Sequence, residues 1–270
     1  MRERVLSAFL FGIPALAMLI AGGAWMILLV VLITGIALVE FSHLVARRGH
    51  RAFGGLMLLW LALFVADRVM PERNLLEPGM ALLLLATMFW ALIRYRQGVV
   101  NALTGFALTV AGSMYIGWSM VHYIGIRALP DGLFWTLSVV LSVWLADTGA
   151  YLVGRRIGRT PLMKDVSPKK TWEGFVSGIA VAVTTGALLP LLWHALGASN
   201  AITPLRGVVI GLIGSIVGTL GDLSISMVKR YVDAKDSSNL IPGHGGFLDR
   251  LDSIIVTGLL SYYYLRLVLF

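Results

Sequence analysis

Runs of roughly twenty predominantly apolar residues recur along the chain, and no other feature constrains its fold so tightly. A helix needs about 20 such residues to cross the hydrocarbon core of a bilayer, where every backbone polar group must be bonded within its own segment. About nine runs fit this description. They cover residues 5–22, 25–46, 53–70, 79–94, 99–124, 133–154, 174–196, 206–228 and 253–270. The third and fourth are the least distinct, because Asp67, Arg68 and the 71–78 segment crowd the turn between them. Composition agrees: 58% of the residues are hydrophobic and 13% charged, where a soluble domain carries about a quarter charged residues. In water such a chain would expose more apolar surface than solvent tolerates. The fold class expected is therefore all-α: a polytopic transmembrane helical protein of about nine spans.

The stretch Met1–Gly22 has charged residues ahead of an apolar run, as a signal peptide does. Its apolar part is of spanning length and further apolar segments follow, so it is expected to be a retained first span. Cysteine is absent, which excludes a disulfide framework, a thiolate metal site and a cysteine nucleophile. The net charge of +8 sits in short loops beside apolar runs. Orientation and anionic lipid or nucleotide explain it better than nucleic acid does. Of the 22 Lys and Arg, only Arg68, Arg73, Arg127, Arg206 and Arg266 fall on one side of a nine-span arrangement; the other seventeen share the opposite side. By the positive-inside rule the N-terminus is cytoplasmic and the C-terminus is outside. No linker is long enough for a separate soluble domain, and no internal repeat is evident. The expected organisation is one integral membrane unit: N-terminal helices over 1–132, then a catalytic region over 133–270 with cytoplasmic loops 155–173 and 229–252.

Nearly all the unusual chemistry lies in those two loops or just beneath them. Asp147 and Asp222 are carboxylates within apolar runs, where an ionised group is costly and has a partner. Either one alone is as readily a helix-to-helix ion pair as a site residue. Asp222, however, has Ser226 at i+4 and Lys229 at i+7, on one helical face, with Arg230 adjacent. A carboxylate able to hold a divalent cation, below cations able to hold phosphate, suits a magnesium–nucleotide arrangement. After it, Pro242, Gly243, Gly245 and Gly246 form a turn whose backbone can approach a ligand closely. Asp249 and Asp252 follow at i and i+3, with Arg250 between them and Ser253 beside them. An Asp at a helix start is also a common cap, but capping does not explain the whole crowd. In the first loop Ser167, Lys169, Lys170 and Thr171 offer hydroxyls and ammoniums suited to phosphate oxygens. The same loop also reads as a basic segment that sets orientation, and its outer arginines fit that reading better. His244 is compatible with a base, a phosphate donor or a turn residue. Glu40, alone in the second run, reads as structural or a minor contact, and the Trp and Tyr residues as interfacial anchors and packing.

These residues resemble a known family. The run S-M-V-K-R-Y-V-D-A-K-D-S-S-N-L-I-P-G-H-G-G-F-L-D-R-L-D, Ser226 to Asp252, is similar to the signature of the phosphatidate cytidylyltransferases, also called CDP-diacylglycerol synthases. Its fixed elements S-x-x-K-R, K-D, P-x-H-G-G and D-R-x-D all stand here at the family spacing. So do D-T-G-A-Y at Asp147–Tyr151, S-P-K-K-T-W-E-G at Ser167–Gly174 and G-D-L-x-x-S at Gly221–Ser226. The likeness is close over the C-terminal half; the N-terminal half shares only its stack of apolar spans. What the resemblance implies is a reaction of CTP with phosphatidic acid to give CDP-diacylglycerol and pyrophosphate, within phospholipid synthesis. It also implies Mg²⁺ with room for a second, monovalent cation such as K⁺, a homodimer among membrane lipids, and no nucleic-acid partner. A bacterial inner membrane, with the active site facing the cytoplasm, is the expected location.

By the same resemblance Asp222 and Asp249 are the leading metal ligands, followed by Asp252 and Asp147. Lys229, Arg230 and His244 join the two leading carboxylates as catalytic candidates. Ser167, Lys169, Lys170, Thr171, Ser226, Lys235, Asp236, Gly245, Gly246, Arg250 and Tyr151 are candidate substrate contacts. The chemistry would rest on alignment and charge neutralisation, since a lipid phosphate is already nucleophilic at neutral pH. Rival readings differ in product or architecture. A CTP-dependent polyprenol kinase would transfer the γ-phosphoryl group and release CDP. A CDP-alcohol phosphotransferase needs a D-G-x-x-A-R motif that is missing here. A transporter would show inverted repeats or helices broken near the midplane, whereas these charges cluster at one face.

Overall fold

The computed structural model describes the backbone of residues 2–238, Leu240 and 245–270, with side chains from Leu10 onward. The candidates Pro242, Gly243 and His244 lie outside the described residues. Among the described residues the chain is mainly helical, with one β-hairpin. Helices α1 (Arg2–Ala21), α2 (Gly23–Ala46), α3 (Gly54–Val69) and α4 (Leu76–Arg96) come first. Next come α5 (Ala102–Gly112), α6 (Ser119–Ala128) and α7 (Gly132–Ile157). Strands β1 (Pro161–Met163) and β2 (Ser167–Thr171) precede α8 (Trp172–Ala195), α9 (Pro204–Leu212), α10 (Gly218–Tyr231), α11 (Leu248–Leu251) and α12 (Ile255–Leu269). A π-helical turn joins α5 to α6 over Ser113–Trp118, and another joins α9 to α10 over Ile213–Val217.

Six helical stretches among the described residues are long and apolar enough to cross a membrane: Gly23–Ala46, Leu76–Arg96, Gly132–Ile157, Trp172–Ala195, Pro204–Tyr231 and Leu248–Leu269. The chain is thus a polytopic helical membrane protein. The remaining apolar runs are helical too, but they stand outside this group. One is α3, whose 16 residues span about 24 Å at 1.5 Å per residue, short of a full hydrocarbon core.

By its contacts the chain divides into two compact units: Met1–Ile124 with Val228–Leu251, and Gly125–Met227 with Asp252–Phe270. The first unit has a core of large apolar side chains, among them Leu38, Met57, Trp60, Phe64, Ile116 and Met120, all essentially inaccessible. Polar pairs occur within it: Trp60 Nε1 donates to Thr87 Oγ1 at 3.3 Å, and Phe53 N to Thr109 Oγ1 at 2.8 Å.

The second unit packs α7, α8 and α9 through small residues. A Cβ on Gly186 would lie 2.2 Å from the Gly207 carbonyl oxygen, and one on Gly211 would lie 2.3 Å from that of Ala182. Only glycine permits so close a backbone approach, the device by which helices gain packing contact where no hydrophobic force separates protein from lipid. The segment 155–173, expected as a basic loop, contains the antiparallel hairpin β1–β2, with Pro161 opposite Thr171 and Met163 opposite Ser167. The hairpin runs directly into α8. Thr171 has extended backbone and its Oγ1 accepts from Gly174 N at 3.2 Å, an N-cap. Glu173 in the first turn accepts from Thr160 N and Oγ1 and so ties the hairpin's start to the helix.

Candidate active site

Two carboxylate clusters stand out, one in each unit. In the second unit, α10 carries Asp222 with Ser226 one turn further on, and Ser226 Oγ donates to Asp222 Oδ1 at 3.1 Å. The i, i+4 spacing on a helix puts them together. Lys170 reaches the other oxygen, with Nζ 2.5 Å from Oδ2. Strand geometry selects this lysine over its neighbour. Successive side chains on β2 point to opposite faces, so Lys170 turns inward while Lys169 is exposed. From α7, Asp147 is close enough for its charge to act on Asp222 and Lys170. Its Oδ2 accepts from Ser253 Oγ at 3.2 Å. Asp252 Oδ1 accepts from Ser253 N at 2.7 Å. Gly221 lets α10 pass here: a Cβ would lie 2.4 Å from the Asp252 carbonyl oxygen. The result is a half-buried patch of carboxylates and hydroxyls with the Lys170 ammonium at Asp222.

In the first unit, Lys229 Nζ lies 2.7 Å from Asp249 Oδ1, and the two side chains are 11% and 7% exposed. Asp249 Oδ2 accepts from Ser237 N and Ser237 Oγ, each at 2.8 Å, and from Gly246 N at 3.0 Å. Behind this pair sits Glu40 of α2, 5% exposed. Its Oε2 accepts from Leu248 N at 2.7 Å and lies 3.3 Å from Ser237 Oγ. Its Oε1 accepts from Phe247 N at 3.1 Å and from Ser238 Oγ at 2.5 Å. Arg47 donates to the Ser237 carbonyl at 3.3 Å. The segment after α10 is set by a Schellman end. Asp233 takes the left-handed conformation at φ 53, its N–H reaches Arg230 O, and Ala234 N–H reaches Lys229 O.

The structure thus gathers Asp147, Lys170, Asp222, Ser226 and Asp252 in one unit, and Lys229, Asp249 and Gly246 in the other. Ser167 is half-buried in β2, and Thr171 caps α8. Lys235, Asp236 and Arg250 are exposed. Arg230 Nη1 donates to Ala234 O at 3.3 Å, and exposed Tyr151 accepts from Arg155 at 3.4 Å. Gly245 is left-handed at φ 82, whereas Gly246 is needed for space, since a Cβ would fall 2.0 Å from Ser237 Oγ. The N–H of Gly246, a candidate substrate contact, is bonded to Asp249. Glu40, read from the sequence as structural or a minor contact, holds this segment, and Ser237 is a residue sequence reasoning passed over. A lone carboxylate inside an apolar run was the available signal for Glu40.

For a magnesium ion the test is the donor set. Among the described residues no three His, Asp or Glu side chains come together as a ligand group. The pair Asp147 and Asp222 with the hydroxyls of Ser226 and Ser253 offers oxygen donors only, the chemistry Mg²⁺ takes. Two carboxylates also suffice where substrate phosphates and waters complete the shell. The residues fit.

Residues 2–268 match the cytidylyltransferase family, and the chain belongs to that family. It is similar over nearly its whole length to proteins named phosphatidate cytidylyltransferase. Identity is 34% to the one from Bacillus subtilis, over 99% of this chain and 98% of that one. It is 33% to that of Synechocystis sp., over 99% and 97%, and 32% to that of Brucella melitensis biotype 1, over 97% and 92%.

Proposed function

We propose that this protein transfers the cytidylyl group of CTP to phosphatidic acid, forming CDP-diacylglycerol and releasing pyrophosphate. The observation that carries the reading is Asp222 with Lys170 Nζ 2.5 Å from its Oδ2, in a chain 34% identical to a named phosphatidate cytidylyltransferase over 99% of its length. A phosphatidate oxygen attacks the α-phosphorus of CTP; the new P–O bond forms as the α–β anhydride bond breaks, and pyrophosphate leaves. The lipid phosphate is already ionised, so no strong base is required. The task of the protein is alignment and charge neutralisation. Asp222 and Asp147 would hold Mg²⁺, which supplies charge neutralisation at phosphate oxygens. Lys170 offsets phosphate charge from β2, and Ser226 orients the Asp222 carboxylate. Lys229 and Asp249 pair with each other at 2.7 Å and keep the catalytic role expected of them. A monovalent cation beside the magnesium and a homodimer belong to the same reading.

The finer topology is also a proposal: about nine spans, N-terminus in the cytoplasm. It is supported by the placing of seventeen of the 22 Lys and Arg on one side of that arrangement. The site would face the cytoplasm from a bacterial inner membrane, with acyl chains among the helices and CTP arriving from water.

The test is product analysis on purified protein in detergent with phosphatidic acid, Mg²⁺ and CTP labelled at the α-phosphorus. Label entering lipid with release of pyrophosphate is expected. Asp222→Asn should lower kcat by about a thousandfold, the scale of losing a charge-stabilising group at a reacting centre. Label left in CDP while the lipid gains an unlabelled phosphate would make the protein a kinase and overturn the reading.

A further inference from the structure

Glu40 is the most deeply buried carboxylate among the described residues that the reaction does not use, at 5% exposed on an apolar helix. Its partners are all from a segment about two hundred residues away in the chain. A carboxylate in such surroundings is costly unless every lone pair finds a donor. Here both oxygens do. Two of the donors, Phe247 and Leu248 N–H, are backbone groups at the start of α11, and two are the hydroxyls of Ser237 and Ser238.

The donors alternate between two acids. Ser237 N–H and Gly246 N–H go to Asp249, while Ser238 Oγ, Phe247 N–H and Leu248 N–H go to Glu40. The Ser237 hydroxyl lies between them, 2.8 Å from Asp249 and 3.3 Å from Glu40. Gly246 fits only because it lacks a Cβ, which would fall 2.6 Å from Glu40 Oε2. Two strips of chain, 237–238 and 246–248, are therefore clamped from both sides. Neither acid can shift without moving the groups that hold the other.

We propose that Glu40 is a positioning residue for the Lys229–Asp249 pair: it fixes the backbone donors that aim the Asp249 carboxylate, and it touches no substrate itself. The kinetic part of this inference rests on the cytidylyl-transfer reading; the structural part does not. In Glu40→Gln one acceptor oxygen survives, while the other becomes an NH₂ facing an N–H or hydroxyl donor, so the clamp loosens without a change of size.

The experiment compares wild type, Glu40→Gln, Glu40→Asp and Ser42→Ala in the full chain. Ser42 is a buried neighbour on α2 whose Oγ donates within its own helix, to Val39 O. Steady-state kinetics with CTP and phosphatidic acid would run beside hydrogen–deuterium exchange without substrate. Glu40→Gln is expected to fold, to lose amide protection at 246–248, and to lose about ten- to hundredfold in kcat with the KM for CTP within about twofold, the scale of an outer-shell change. Glu40→Asp should recover part of that loss, and Ser42→Ala should match wild type. Unchanged kcat in folded Glu40→Gln overturns the proposal, as does a raised KM with kcat intact, which would make Glu40 a ligand contact. A loss of activity that follows only the loss of folded protein, equal in all α2 variants, also overturns it. Should wild type fail to turn over CTP, the functional reading falls and the exchange data alone decide: full protection at 246–248 in Glu40→Gln removes the clamp.

Discussion

Lys169 and Lys170 are indistinguishable on the sequence, two ammoniums side by side in a basic segment. On β2 they face opposite ways, and only Lys170 reaches Asp222. Lys170→Ala should cost about 1.5–3 kcal/mol in kcat/KM for CTP, roughly ten- to hundredfold, as loss of a charged hydrogen bond does. Lys169→Ala should stay within about twofold, since an exposed charge contributes little. Equal losses in the two variants would reject the strand assignment of roles. Asp222 and Ser226 were legible in sequence because the helical period alone puts them together. Glu40 was not, because its donors lie 197–208 residues further along the chain and no local pattern marks them.

At the scale of elements, apolar run length predicted helices well: the runs at 25–46 and 174–196 are Gly23–Ala46 and Trp172–Ala195. The π-helical turns at Ser113–Trp118 and Ile213–Val217 were invisible, since an extra residue in one turn leaves the hydropathy of a span unchanged. The β1–β2 hairpin was missed for a different reason. Strands of three and five residues, rich in Lys, Pro and Ser, are too short and too polar to show a period of two. Thr171 joins that hairpin to α8 and caps the helix. Thr171→Ala should lower stability by about 0.5–2 kcal/mol, the range for losing such a cap, read as the midpoint of unfolding in detergent. Because Lys170 is the adjacent residue, its KM for CTP should rise in the same variant. A stable variant with an unchanged KM would show that the cap and the lysine are not coupled.

For the molecule as a whole, the absence of cysteine makes orientation directly testable. Lys164 and Asn200 are exposed and lie before and after α8. In intact cells or inside-out vesicles, Lys164→Cys is expected to react with an impermeant maleimide only from the cytoplasmic face. Asn200→Cys is expected to react only from the opposite one. Labelling of both from one side would overturn the orientation. The sequence carried the membrane class in its apolar runs. It did not carry the interleaving of the chain between compact units, where Val228–Leu251 joins Met1–Ile124, because hydropathy records crossings and says nothing of which helices are neighbours.

The two-acid clamp has a consequence for the order in which the molecule is made. Glu40 leaves the ribosome 197 residues ahead of Ser237, the first of its donors, an interval of about 10–40 s at 5–20 residues per second. During that time α2 is already a span in need of lipid or protein around it, and none of its carboxylate's native donors has been synthesised. The nascent chain thus carries an unanswered acid through most of its own insertion, and only the arrival of the C-terminal segment completes the second helix of the protein.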